Sequence, residues 1–129
     1  MVYYHMTPEK NVKRIQKEGL VPGSSRSLSS TAEREAVGDA VFLARCTEEA
    51  RMQLDLFGGD EPGLKIRNWA MFEVTLPDGF SLLEDYEGYL YATRPIPPDC
   101  LRLVYTDTAW RKKVLEEYGH DYGKIKDEV

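Results

Sequence analysis

The chain has 129 residues, the length of one ordinary domain, and its 42% hydrophobic residues are enough for a sizeable core. Lys and Arg number 17 against 22 Asp and Glu, and the formal charge of −5 argues against a broad basic surface made to neutralise phosphates. Cys46 and Cys100 match no metal-ligand spacing and make no disulfide scaffold. No basic leader and no run of about 18 apolar residues is present. We therefore predict one domain over residues 1–129, cytoplasmic and without a membrane span.

The chain opens on a predicted strand, VYYHM at residues 2–6, rich in aromatic and β-branched types. Because side chains alternate along a strand, His5 lies on the face opposite Tyr4 and Met6. Thr7 is a good helix N-cap, Pro8 suits the first helical position, and the pattern predicts a helix directly after the strand.

This first helix is predicted to end at Gly19, with Val12 and Ile15 pointing inward. Four cations share its outer face at helical spacing: Lys10, Lys13, Arg14 and Lys17. A charged helix face is usually solvated. A face of four cations is also suited to a nucleic acid or acidic partner, and both interpretations stay open at this point.

The middle of the chain predicts short elements separated by loops. Residues 20–38 begin as a loop, and a short helix opens at Ser30 with Glu33 completing a capping box and Gly38 as its stop. The apolar run DAVFLAR (39–45) predicts a central strand. Thr47 is predicted to cap a helix over EEARMQLDLF (48–57), which ends at the Gly58–Gly59 pair.

The second half is predicted to be mostly strands. Alternation from Trp69 to Leu76 predicts a strand that a Pro-Asp-Gly turn ends, and a final helix is predicted near 107–118, before Gly119. Three further strands are predicted between them, at FSLL, GYLYAT and CLRLVY. Strand and helices followed by a run of strands indicates an α+β fold with a largely antiparallel sheet.

Generic catalytic motifs are absent from the sequence. The two histidines and two cysteines do not cluster as zinc ligands, no glycine segment has the phosphate-loop ending, and no G-x-S-x-G occurs. We therefore predict no metal site. His5 alone has two interpretations: a structural histidine with satisfied hydrogen bonds, which is the commoner case, or a ligand contact. The helix start beside it favours a polar or anionic ligand, because the Thr7 hydroxyl and the free amides of a first helical turn would face the same space.

Aromatic and acidic residues gather between the predicted strands FSLL and GYLYAT. The tyrosines Tyr86, Tyr89 and Tyr91 are more simply part of the core and sheet surface than a stacking platform, although Tyr89 and Tyr91 share a face. The carboxylates Glu84, Asp85 and Glu87 read as a polar turn, yet paired carboxylates near a tyrosine-lined cleft can also orient a ribose hydroxyl.

In order along the chain, the segments YHMTPEKNVKRIQKEGLVP, GDAVFLA, LPDGF and GYLYATRPIPPDCLRLV resemble the ADP-ribosyltransferase superfamily. They are most similar to its RNA 2′-phosphotransferase and DNA-targeting toxin branches. Those branches open with a strand bearing Tyr-His-x-Thr and a helix with N-[VL]-x-x-I-x-x-x-G-L. The matching residues here are Tyr4, His5 and Thr7, then Asn11, Val12, Ile15, Gly19 and Leu20.

The resemblance implies split antiparallel sheets that hold NAD in a cleft, with NAD as substrate and no metal. His5 would bond the adenosine ribose and the Met6 backbone the nicotinamide amide, with Thr7 beside them. Phe42 matches a tyrosine of poly(ADP-ribose) polymerases that stacks on nicotinamide, and it keeps the π-face. Arg26 would pair with the pyrophosphate.

The resemblance also implies a carboxylate that steadies the ribosyl cation while the ADP-ribosyl unit passes to an acceptor. The polymerases carry this glutamate directly before a tyrosine. Here Gly88 precedes Tyr89 and Glu87 lies one position earlier, so Glu87 is the matching carboxylate if a bulge turns it to the same face.

Three further interpretations stay beside NAD-dependent ADP-ribosyl transfer. One is a non-catalytic module that binds a nucleotide, ADP-ribose or a protein partner on the same fold. Another is RNA 2′-phosphotransferase-like activity, which the segment Ile96-Pro97-Pro98 resembles; we rank it lower because those enzymes carry an additional N-terminal lobe. The third is a domain that docks on nucleic acid through its first helix. The acceptor itself is not fixed by the sequence.

Overall fold

The computed structural model describes residues 1–22, 40–53, 68–85 and 87–122, the last five of these as backbone only. The strands are β1 (Val2–Pro8), β2 (Val41–Leu43), β3 (Trp69–Thr75), β4 (Leu83–Glu84), β5 (Leu90–Ala92) and β6 (Leu101–Thr106). The helices are α1 (Val12–Glu18), α2 (Thr47–Gln53) and α3 (Asp107–Tyr122), with 3-10 turns at Glu9–Asn11 and Pro98–Cys100. Arg26, the helix predicted at Ser30, residues 54–57 and Tyr86 lie outside the described residues.

Two three-stranded antiparallel sheets form the described part of the chain, which confirms the predicted α+β class. The first has the order β1-β3-β6 and the second the order β2-β5-β4. One residue pair joins them: Tyr4 and Ala44 exchange backbone hydrogen bonds, with N···O distances of 2.9 and 2.8 Å. The segment predicted as a central strand thus forms β2, an edge strand of its own sheet, and its backbone pairing with β1 among the described residues is at Ala44, directly after β2.

The first sheet packs on both faces, which is why β3 is buried along most of its length. One face, together with α1 and the second sheet, encloses the larger core, whose buried members are Ile15, Leu20, Val41, Leu43, Phe72, Val74, Ala92 and Ile96. The other face packs against α2 in a smaller cluster of Met6, Ala44, Ala50 and Met71. Tyr3 contacts the larger core and Tyr4 the smaller one, so the predicted alternation of β1 is confirmed.

The junction after β1 differs from the prediction that Thr7 caps a helix at Pro8. Thr7 and Pro8 instead continue the ladder opposite Ala70 and Trp69, and the Glu9 N–H extends it by donating to the Asn68 carbonyl at 2.9 Å. A 3-10 turn then leads into α1 at Val12. Ladder bonds and complete burial of Thr7 outweigh its capping propensity, because the strand satisfies backbone groups that a helix start would leave open.

The predicted end of α1 at Gly19 is confirmed, and two constraints act there at once. Its φ of 83° lies in the left-handed region, and its N–H donates to the Ile15 carbonyl at 2.8 Å. A Cβ on this residue would meet the Ile96 carbonyl oxygen at 2.1 Å. Glycine is therefore required both for the conformation and for the close approach of the chain that pairs Leu20 with Ile96.

Both later helices differ from prediction at one end. The cap of α2 is Cys46 and not Thr47: the Glu49 N–H donates to its Sγ at 3.4 Å and the Ala50 N–H to its carbonyl at 3.1 Å. Helix α3 continues to Tyr122, past the glycine predicted to stop it. Trp110 on this helix is 54% exposed. No described helix is long and apolar enough to cross a membrane.

Candidate functional site

The sequence predicts a ligand site beside His5, which lies where β1 passes beyond its backbone pair with the second sheet at Tyr4. Backbone pairing between β1 and β2 stops at Tyr4 and Ala44. One residue further along, the His5 ring bridges the gap, with Nδ1 2.9 Å from the backbone oxygen of Phe42. We call the space bounded by β1 from His5 onward and by β2 the β1–β2 cleft.

The hydrogen bond fixes the tautomer of His5. A carbonyl oxygen only accepts, so Nδ1 carries the proton and Nε2 of the neutral ring presents a lone pair. Burial lowers the pKa of His5 below its ordinary 6.5, although the bond to Phe42 acts in the opposite direction. Nε2 is buried and has no hydrogen-bond partner among the described residues. His5 therefore holds an unused acceptor where an unsatisfied polar atom is costly.

Backbone groups of Met6 point to the same side as β2. Residues of a strand direct their N–H and C=O groups alternately to its two neighbours. Tyr4 directs both of its groups to Ala44, so Met6 directs its own groups toward β2 as well. No hydrogen bond to them from another described residue is found. The N–H and C=O of Met6, the residue that the resemblance assigns to an amide, therefore follow His5 along the edge of β1 that faces β2.

Phe42 contributes its carbonyl to His5 and its ring to an aromatic pair. Its ring centroid lies 5.7 Å from that of Tyr91, the residue opposite it on β5, at an angle of 41°. Phe42 is buried, whereas Tyr91 is half-buried. The structure thus brings His5 and Phe42 into contact, and Met6 follows His5 on β1.

Thr7 is placed differently from the other predicted residues. Its side chain is 0% exposed, and its hydroxyl accepts a hydrogen bond from the Asn11 amide at a long 3.5 Å. Because α1 begins only at Val12, the free amides expected beside His5 belong to a later part of the chain. The helix-terminus argument for an anionic ligand is therefore wrong, and the case for the cleft depends on His5 and Met6.

The acidic segment forms a tight turn between β4 and β5. The Asp85 carboxylate accepts the N–H groups of Glu87 and Tyr89 through Oδ1, both at 2.9 Å, and Gly88 has a φ of 89°. Glu87 is exposed and lies in the turn, outside both strands, so the bulge considered from the sequence does not arise. Within the described ranges its carboxylate has no hydrogen bond or ion pair, to His5 or to any other residue.

Arg45 connects this turn to β2, a role that the sequence analysis missed. Nη2 donates to the Gly88 carbonyl at 2.9 Å and to Glu84 at 3.4 Å, and Nη1 donates to Glu49 at 3.1 Å. Glu49 also accepts the Arg45 backbone N–H at 3.1 Å. A signal was present: an arginine directly after an apolar strand, with a glutamate four residues on in a predicted helix.

The cations of the first helical segment form an outer face, which we call the basic face: Lys10, Lys13, Arg14 and Lys17. Arg14 is half-buried and the three lysines are exposed. None of the four makes an ion pair with a residue that the structure describes. Lys10 lies in the 3-10 turn, so only three of them follow α-helical spacing.

The described part of the chain holds no group of three His, Cys, Asp or Glu side chains arranged for a metal ion. No family model, no curated protein and no solved structure matches this chain. Function is therefore argued from the cleft itself.

Proposed function

We propose that the chain is an ADP-ribosyltransferase-like protein that binds NAD in the β1–β2 cleft and transfers ADP-ribose to an acceptor. The buried, unpartnered Nε2 of His5 carries the proposal. Two antiparallel sheets whose described residues share one backbone pair are compatible with the split-sheet fold of that superfamily, in which the ligand lies between the sheets. The segments of the sequence that resemble the superfamily supply the identity of the ligand.

The polar groups of the cleft complement those of NAD. A ribose hydroxyl donates to an acceptor such as His5 Nε2, and this bond satisfies an atom that is otherwise buried alone. The nicotinamide carboxamide has an NH₂ group that donates and a carbonyl oxygen that accepts, and these complement the C=O and N–H of Met6. Phe42 offers an aromatic ring for stacking, although its burial requires the ring to gain exposure on one side.

The proposed reaction breaks the bond between the nicotinamide nitrogen and the ribose. Both electrons of that bond leave with nicotinamide, which departs as a neutral ring, and the ribosyl carbon becomes oxocarbenium-like. The Glu87 carboxylate would bind a ribose hydroxyl and stabilise the positive charge. An acceptor nucleophile then forms the new bond and loses its proton. Glu87 reaches the ribosyl carbon only if the ligand extends from the cleft to the turn.

The proposed acceptor is a nucleic acid that binds to the basic face. Lys10, Lys13, Arg14 and Lys17 follow β1 directly, and described carboxylates do not neutralise them. A nucleic acid supplies the phosphates that such a face would bind. The net charge of −5 confines this interaction to a local contact.

Substitution of His5 tests the binding step. Asn retains a side-chain N–H at the position of Nδ1 and can still donate to the Phe42 carbonyl, but it has nothing at the position of Nε2. We expect His5→Asn to weaken NAD binding by about tenfold or more by calorimetry, with little change in the melting temperature. Equal NAD affinity in the wild type and in His5→Asn would remove the basis of the proposal.

A second candidate is a non-catalytic nucleotide- or ADP-ribose-binding module on the same scaffold. The observation in its favour is Gly88, whose φ of 89° disfavours a glutamate at that position, together with the exposure of Glu87 in the turn. Incubation with labelled NAD separates the two candidates: saturable binding without nicotinamide release supports the module. A 2′-phosphorylated RNA in the same incubation tests phosphotransfer, and loss of its phosphate would favour that branch.

A further inference from the structure

We propose that Arg45 is a positioning residue that holds the Glu87-bearing turn against the end of β2, and so sets where the Glu87 carboxylate stands relative to the β1–β2 cleft. The proposal rests on the proposed function, since the position of Glu87 matters only if NAD occupies the cleft. Arg45 belongs to none of the sequence motifs that resemble the superfamily, so the proposal adds a new residue to the site.

The first observation is the geometry of the guanidinium. Its donors reach the Gly88 carbonyl, Glu84 and Glu49 at 2.9, 3.4 and 3.1 Å. Gly88 is the residue after Glu87, so this contact fixes the backbone beside the candidate carboxylate. The planar fork of arginine suits several acceptors at once, which a lysine cannot reproduce.

The second observation is that Arg45 is itself held. Glu49 accepts the Arg45 backbone N–H and also its Nη1, so the arginine is fixed at both ends of its side chain. On its other side Arg45 follows Ala44, whose backbone is bonded to Tyr4, the neighbour of His5. A continuous series of contacts therefore runs from β1 to the turn.

The third observation is that the described residues of the turn are hydrogen-bonded to Asp85. Asp85 accepts the N–H groups of Glu87 and Tyr89, and its backbone N–H donates to the Tyr89 carbonyl at 2.9 Å. The N–H groups of Gly88 and Tyr89 both donate to Asp85, so a turn that loosens without Arg45 exposes them to exchange together. Arg45 forms an ion pair with Glu84 and not with Glu87. The Glu87 carboxylate is therefore the one of the two that is available to a ligand.

The test compares Arg45→Met and Arg45→Lys with a matched control. Arg102→Met also removes an exposed arginine paired with a glutamate, Glu73 at 2.9 Å, but on β6 and away from the turn. The readouts are the amide hydrogen exchange of Gly88 and Tyr89, the NAD affinity, and kcat and KM for nicotinamide release.

For Arg45→Met we expect exchange at Gly88 and Tyr89 to rise about tenfold and kcat to fall about tenfold, with NAD affinity within about threefold of wild type. Arg45→Lys should retain part of the kcat, and Arg102→Met should change none of these quantities. A fall in kcat alone is the signature of an interaction that acts in the transition state.

Three results would overturn the proposal. Unchanged exchange in Arg45→Met shows that the arginine does not hold the turn. Raised exchange with unchanged kcat shows a structural contact without a positioning role, as does an equal effect of Arg102→Met. If wild-type protein binds NAD but releases no nicotinamide, the transfer reaction fails first and the positioning role fails with it, whereas the exchange rates still report whether the contact exists.

Discussion

At the scale of the residue, the account depends on which nitrogen of His5 carries the proton. The sequence placed His5 on the correct face of β1, but the helix start predicted beside it is wrong, because β1 continues to Pro8. It could not supply the tautomer, because that is set by the Phe42 carbonyl, 37 positions away in the chain. Arg45 was missed for the same reason: the partners that define its role, Glu84 and Gly88, lie about 40 residues further on and meet it only in the folded chain.

The lowered pKa of His5 predicts a loss of stability in mild acid. In the unfolded chain the imidazole binds a proton below about pH 6.5, whereas the folded protein resists protonation until a lower pH. The unfolded state thus binds more protons in that window, and the free energy of unfolding falls as the pH falls.

Urea unfolding between pH 7.5 and 5.5 measures this effect. The slope from one histidine approaches about 1.4 kcal/mol per pH unit at most. We expect His5→Asn to remove it, since Asn does not titrate. The same slope in His5→Asn would mean that His5 is not buried in its neutral form.

At the scale of the element, propensity and ladder bonds compete at the end of β1. Thr7-Pro8 is a favourable helix start by residue type, yet tertiary pairing with β3 prevails and delays the helix to Val12. At Gly19, by contrast, the stop signal and the tertiary contact with Ile96 agree, and the prediction is confirmed. A prediction from local sequence is confirmed where long-range packing requires the same conformation.

Gly19→Ala tests the second constraint against a matched glycine. Gly79 has a similar φ, 81°, but no atom lies within 4 Å of its ideal Cβ. We expect Gly79→Ala to cost about 1 kcal/mol, from backbone strain alone, and Gly19→Ala at least about 2 kcal/mol in urea unfolding. Equal losses would show that the chain near Ile96 yields to a methyl group.

The basic face predicts salt-dependent binding of nucleic acid. Reversing two of its charges in Lys13→Glu/Arg14→Glu should weaken binding to single-stranded RNA or DNA and lower the salt slope of log K by about 1.5. Lys112→Glu/Lys113→Glu, an equal charge change at two exposed residues of α3, is the control. Equal losses of affinity in both double variants would assign the effect to net charge. Binding without salt dependence would show that the basic face does not bind the nucleic acid.

At the scale of the whole molecule, the class of the fold follows from patterns that the sequence shows, but the split between the sheets does not. Alternation in β3 and the run of later strands predict antiparallel sheets, and all six described strands pair in that way. That the described backbone pairing between the sheets is limited to Tyr4 and Ala44 depends on where pairing stops, which no local pattern specifies. The cleft is a product of that interruption.

The proposed catalysis needs both the β1–β2 cleft, which binds NAD, and the turn that carries Glu87. Glu87→Gln keeps the size of the side chain and removes its charge, so we expect nicotinamide release to fall about 100-fold or more while NAD affinity is retained. Unchanged release would assign the charge-stabilising role to Glu84 or Asp85 instead.

The most direct test of the central claim is a nuclear magnetic resonance titration of the ¹⁵N-labelled chain with NAD. Before NAD is added, the His5 ring should show a protonated Nδ1 and an unprotonated Nε2. On binding, the Nε2 resonance and the Met6 amide should shift together and saturate at one affinity, and His5→Asn should abolish the Met6 shift. No saturable shift at His5 and Met6, or shifts confined to other parts of the chain, would contradict the assignment of the β1–β2 cleft as the NAD site.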